Sequence, residues 1–191
     1  MQLTGAEYFV AYTNYIKNFA NSANGLHKLK DTGPFSVYKV ENSSMVKTVS
    51  DFTIEKKDKN WLNKSIEWFK GNNFTNPIVF AFNNKEARYL ADLKQEQSSM
   101  VKNSISNIKV GKDYLEFDTK NVGIPHIVNI TYFPTWQVNG AKGPFLVSPC
   151  YMMVVPTQNH VKLYFTYGPW DWTGFALTGF GILYIIYFRK K

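Results

Sequence analysis

Trp170-Asp-Trp-Thr-Gly-Phe-Ala-Leu-Thr-Gly-Phe-Gly-Ile-Leu-Tyr-Ile-Ile-Tyr-Phe-Arg-Lys-Lys191 is the stretch that decides the architecture. Trp172 to Phe188 is a run of seventeen residues without a charge. At the helical rise it is ~25 Å long, close to the ~30 Å of a bilayer's hydrocarbon. Trp170 and Trp172 stand at one end, and Tyr184, Tyr187 and Phe188 stand near the other, as an aromatic belt does. Arg189-Lys190-Lys191 follows directly. Positive charge beside a short flank predicts a cytoplasmic C-terminus, with residues 1–169 outside the cell. The competing reading is a buried core helix of a soluble protein. Gly174, Thr178 and Gly181 recur at i, i+4 and i+7 and give the helix a stripe of small residues, which predicts packing against other transmembrane helices.

The net charge of the chain is +8. Without Asp171 and the three terminal cations, residues 1–169 carry +6. These charges are dispersed, with short clusters at Lys28 and Lys30 and at Lys56, Lys57 and Lys59. Nucleic acid recognition uses a denser basic stripe, so no nucleic acid partner is expected. Aromatic residues make up 17% of the chain, which suits an ordered interior rich in strands or a surface that meets sugar or lipid. Cys150 is the single cysteine, which excludes an internal disulfide and a cysteine-based metal site. Sequons stand at Asn42, Asn63, Asn73 and Asn129. The first residues show no basic segment followed by an apolar one, so no signal peptide is visible. Two readings resolve this: a tail-anchored protein with a cytoplasmic domain, whose Arg-Lys-Lys end would then have to cross the bilayer, or, the favoured one, the C-terminal piece of a longer membrane protein with Met1 internal.

Upstream of the tail the pattern is mixed. Residues 7–12 read as a short buried strand. Thr13 caps a helix with an apolar stripe of Tyr15, Ile16, Phe19, Ala20 and Ala23, and Gly25 stops it. Phe35 to Val40 alternates as a strand. These elements predict a small α/β lobe with no phosphate-binding glycine loop. A second helix opens at Asp58 or Asn60, lined by Trp61, Leu62, Ser65, Ile66 and Phe69. A strand spans Pro77 to Phe82, and Asn83 or Asn84 caps a third helix through Leu93. From Met100 on, short apolar runs recur about every ten residues: 104–110, 114–118, 126–133, 136–138, 145–147, 152–155 and 161–167. Turn residues separate them, Asn139-Gly140 and Gly143-Pro144 among them. This spacing predicts an antiparallel β-sandwich. The expected class is α+β: an α/β lobe over residues 1–99, a β-sandwich over 100–169, and one transmembrane helix over 170–191.

No catalytic set emerges. His27, His126 and His160 lack ligand spacing and read as loop or strand-flanking residues. Glu116 and Asp118 share one side of a strand without a calcium-type loop, and read as a solvated face. Ser44, Ser99 and Ser148 have no nucleophile-elbow context. No helix start or cation is placed to activate Cys150. No cofactor or metal is expected. The most distinctive segment is Asn129-Ile-Thr-Tyr-Phe-Pro-Thr-Trp-Gln-Val-Asn-Gly-Ala-Lys-Gly-Pro144, where Tyr132, Phe133 and Trp136 flank Pro134. Such rings either close one end of a sandwich core or stack on the apolar face of a sugar.

With Pro149-Cys-Tyr-Met-Met-Val-Val-Pro156, Val161-Lys-Leu-Tyr-Phe165 and Asp171-Trp-Thr-Gly174, this segment resembles the C-terminal region of polytopic GT-C-type glycosyltransferases and their YfhO-like relatives. Gly5-Ala-Glu-Tyr-Phe-Val10 and Phe35 to Glu41 resemble further elements of the same outside region. Cys150 stands where that pattern has a polar residue. In such proteins the sugar comes from a polyprenyl-phosphate carrier, and the catalytic acids lie in early outside loops. The resemblance therefore implies a non-catalytic domain whose partners are the lipid bilayer, other transmembrane helices of the parent, and a lipid-linked sugar or glycan. No catalytic residue carries over, and Tyr132, Pro134, Trp136, Pro149 and Pro156 carry over only as fold markers. The alternative from another class is a binding or structural module held at the cell surface by a single helix.

Overall fold

The computed structural model describes residues 5–71, 76–96 and 104–189. In chain order the elements are β1 (Tyr8–Ala11), α1 (Asn14–Ser22), β2 (Leu26–Thr32), β3 (Phe35–Val40), β4 (Val46–Thr48), β5 (Thr53–Lys56), α2 (Trp61–Lys70), β6 (Ile78–Ala81) and α3 (Asn84–Glu96). They continue with β7 (Ile105–Val110), β8 (Tyr114–Thr119), β9 (His126–Thr131), β10 (Trp136–Asn139), β11 (Ala141–Val147), β12 (Tyr151–Pro156), β13 (His160–Phe165) and α4 (Pro169–Arg189). The class is α+β, with two packed sheets and a C-terminal apolar helix.

The centre is a six-stranded sheet in the order β4-β9-β12-β11-β6-β5. Its middle strand β12 explains the layering. Met152 and Val154 face the four-stranded sheet β10-β13-β8-β7 and pack with Leu115, Phe117, Val161 and Leu163. Met153 and Val155 face the other way, toward Leu90 and Leu93 of α3 and toward Val79, Phe145 and Val147. A strand buried on both faces reads as an unbroken apolar run, and Met152-Met-Val-Val155 is one. β8 has one wet face and alternates accordingly: Leu115, Phe117 and Thr119 point inward, while Tyr114, Glu116 and Asp118 point outward. Each fully buried side chain of this size contributes roughly 1.5–3 kcal/mol.

The seven strands expected after residue 104 are β7 to β13, but they do not close a domain of their own. β6 pairs with β11 through Phe80 and Leu146, and β4 pairs with β9 through Val46 and Val128. The six-stranded sheet thus crosses the expected division between 1–99 and 100–169, and the segment around residue 100 itself lies outside the described residues. The parallel βαβ unit, β5-α2-β6, is woven into this sheet. Residues 8–40 form a three-stranded antiparallel sheet, β1-β3-β2, with α1 against it.

Two helix faces differ from expectation. α1 starts at Thr13, whose hydroxyl accepts from Ile16 N at 3.3 Å, but only Ala20 of its stripe is buried, and Tyr15 and Phe19 are exposed. α2 turns Trp61, Ser65 and Trp68 inward and leaves Leu62, Ile66 and Phe69 exposed. Trp61 meets Phe80 edge-on, and Trp68 Nε1 donates to Asn76 O at 2.8 Å. β1 is a mostly exposed strand, with Ala11 alone fully buried. Asn83 caps α3: its Oδ1 accepts from Glu86 N, and the Glu86 carboxylate accepts from Phe82 N.

α4 is the one helix among the described residues that is long and apolar enough to cross a membrane, and none of its described side chains is buried. The sheets do not wrap it, which sets aside the buried-core reading of the tail. Lys190 and Lys191 lie outside the described residues.

Candidate membrane-proximal aromatic site

The segment 132–135 links β9 in the six-stranded sheet to β10 in the four-stranded one. Two hydrogen bonds fix its ends, Tyr132 N to Cys150 O at 2.8 Å and Trp136 N to Phe133 O at 3.1 Å. Thr166, just past β13, then ties the loop to the root of α4. Both its N–H and its hydroxyl donate to Thr135 O, the hydroxyl at 2.9 Å. A Cβ on Gly168 would sit 3.2 Å from Thr135 Cγ2, so the Gly168 backbone lies close against the Thr135 side chain. Pro169 supplies the first helical residue, where its missing N–H is no loss. Asp171 Oδ2 accepts from Gly168 N at 2.7 Å and places a carboxylate at the positive end of the helix.

The three rings singled out in the sequence have unequal roles. Trp136 is partly buried on the sandwich core and meets Phe165 edge-on at 5.8 Å. Tyr132 packs on the same core and lies 5.8 Å from Phe82. Burial, and then the Glu86 charge, raise the Tyr132 phenol above its ordinary range, so it stays neutral and polar at its tip. Phe133 alone presents an open ring, with 53% exposure, while its other side rests on Phe165 at 5.9 Å. The structure brings Tyr167 together with Trp170 and Trp172, the rings the sequence places at this end of the helix. Tyr167, Trp170 and Trp172 are exposed, and Tyr167 packs edge-on against Trp172 and Phe175. The apolar run 161–167 predicts Phe165 and Tyr167 on one strand; Phe165 closes β13, and Tyr167 lies past its end at the helix root.

On α4, Gly174, Thr178 and Gly181 are exposed, and nothing lies within 4 Å of a Cβ built at either glycine. The Thr178 hydroxyl donates to Gly174 O at 2.9 Å, so the stripe offers shape without an unsatisfied polar group.

Other candidate groups have structural partners. His126 is fully buried in β9, not at a strand flank. Its Nδ1 donates to Ile124 O at 2.8 Å, which leaves Nε2 to accept from Thr119 Oγ1 at 2.9 Å. Burial pushes its pKa down. His27 and His160 lie on strands β2 and β13 and face Glu41 and Asp118. Glu116 pairs with Lys109 and Lys162, and Asp118 accepts from Asn107. Hydrogen bonds from Asn107 and His160 lower the Asp118 pKa. Ser148 is buried and its Oγ accepts from Ile78 N at 2.9 Å. Ser44 Oγ donates to Val46 O. Ser99 lies outside the described residues. Among the described residues, no group of three or more His, Cys, Asp or Glu is placed to hold a metal ion.

No protein-family model matches the chain, no curated protein matches it, and no solved structure matches its fold.

Proposed function

We propose that this chain is the non-catalytic, extracytoplasmic C-terminal domain of a polytopic membrane protein that handles polyprenyl-phosphate-linked sugars. In this reading the domain stands on the outer face of the bilayer, with Phe133 touching the acceptor glycan or the lipid-linked sugar. The observation that carries it is the stitching of the 132–135 loop to the root of α4 through Thr135 and Thr166. That bond keeps the open Phe133 ring beside the point where the chain enters lipid. A polyprenyl-linked sugar is held at the same depth, and an aromatic ring gives it an apolar platform. The exposed Tyr167, Trp170 and Trp172 suit the headgroup layer. The basic cluster after Phe188 supports a cytoplasmic C-terminus. The small stripe on α4 supports neighbouring helices over a lone anchor.

The test is Phe133→Ala in the full-length parent, assayed for sugar transfer in membranes. Transfer should fall several-fold while the domain stays folded. Unchanged transfer with normal folding removes the glycan contact.

A further inference from the structure

The four sequons look alike in sequence, but the fold makes them unequal. Asn129 is 8% exposed, and its Nδ2 donates to Ser44 O at 2.9 Å. A glycan on that nitrogen would prise β9 from the segment leading into β4. Asn63 lies within α2, and its sequon hydroxyl, on Ser65, is 1% exposed against the sheet. Asn73 lies outside the described residues. Asn42 differs from both described sites. It is exposed, at φ 52 in the turn after β3, and Ser43 and Ser44 continue in neither helix nor strand; its sequon hydroxyl, on the half-buried Ser44, donates only to the nearby Val46 O at 2.7 Å and is not sealed against a sheet as Ser65 is. Asparagine is one of the few residues that takes this left-handed backbone readily. Two open grooves, of about 410 and 450 Å3, meet at Asn42 and Ser43, so the surface around the side chain is clear.

We infer that Asn42 is an N-glycan attachment site. The inference rests on the extracytoplasmic placement proposed above. The donor is a lipid-phosphate- or lipid-pyrophosphate-linked oligosaccharide, and the catalyst is a membrane oligosaccharyltransferase. Asn42 Nδ2 attacks the anomeric carbon, the bond from that carbon to the phosphate oxygen breaks, and the lipid phosphate leaves with the electron pair. The amide gives up one proton to a base of the transferase. A bulky, hydrated glycan on this exposed side chain extends into solvent beside the edge strand β4.

The protein is isolated from its own membranes, and its tryptic peptides are weighed before and after glycan removal. In parallel, protease is added to sealed right-side-out vesicles to locate the domain. The expected result is a domain open to protease, with the Asn42 peptide carrying a glycan. The variant Asn42→Asp, which suits the same backbone, should lose one glycan step in gel mobility and keep the parent's thermal stability. A domain open to protease with an unmodified Asn42 overturns this inference and leaves the placement standing. A glycan on Asn129 of the folded protein also overturns it, because the sorting by exposure then fails. A domain protected in those vesicles overturns the placement and the inference together.

Discussion

Replacing Trp136 and Phe133 in turn separates support from contact. Trp136 packs on the sandwich core with only part of its ring in water and holds Phe165 edge-on. An aromatic side chain of this kind buries ~150–250 Å2, and at ~25 cal/mol per Å2 the part lost on truncation is about 3 kcal/mol. The edge-to-face pair adds about 0.5–1 kcal/mol. Trp136→Ala should therefore cost about 3–4 kcal/mol. In a chain of this size that lowers the melting temperature by roughly 6–16 °C. Phe133 has about half of its ring in solvent, so Phe133→Ala should cost about 1–2 kcal/mol, or roughly 2–8 °C. The assay is thermal unfolding of the two variants in the same detergent or bilayer disc, followed by glycan binding well below both midpoints. Trp136→Ala should lose stability while the folded fraction keeps most of its binding; Phe133→Ala should lose binding while stability falls little. Equal losses of stability, or a cost below ~1 kcal/mol for Trp136→Ala, would refute the division of roles.

Three further outcomes follow from the fold. His126 is buried neutral, so its folded pKa lies below the unfolded value of 6.5, and the unfolded chain takes up a proton first as pH falls. Stability should hold above pH 6.5 and decline below it, by at most ~1.4 kcal/mol per pH unit, until the folded pKa is reached; His126→Gln should flatten that part of a chemical-denaturation series. Gly140 has φ +76, and a Cβ there would collide with His160 O, so Gly140→Ala should cost more than ~2 kcal/mol, read by denaturant midpoint. A fragment of residues 104–169 should lack fixed tertiary structure in amide-dispersion spectra. β9 and β11 lose β4 and β6 in it, and the α3 side of β12 is left bare. A well-dispersed spectrum would restore the division at residue 100.

Some of these features could be read from local pattern, and others could not. The Asn139-Gly140 pair shows why. Its composition signals a turn, and the chain does turn there. It is a corner between two sheets and not a hairpin, because β10 pairs with β13 while β11 pairs with β12 and β6. Turn propensity reports a backbone dihedral and says nothing about which strand lies alongside. β2 carries no local signal for a related reason. Beyond the half-buried Leu26, this lysine-bearing strand is exposed through Thr32, so it shows no alternation. The aromatic site was half legible. Tyr132, Phe133 and Trp136 stand out by type, but their exposure depends on Phe82, just past β6, and on Phe165 of β13, both far away in sequence.

Sequence alone determined the apolar, charge-free span of α4, the cap at Thr13, and the seven strands after residue 104. Each follows from composition or periodicity within a few residues, where local sterics and solvation act. Only the tertiary structure decided that strands from both halves share one sheet, that His126 is sealed, and that Thr135 is tied to the root of the helix. Those outcomes depend on which surfaces meet across long loops, and meeting partners are set by the packing of the whole chain.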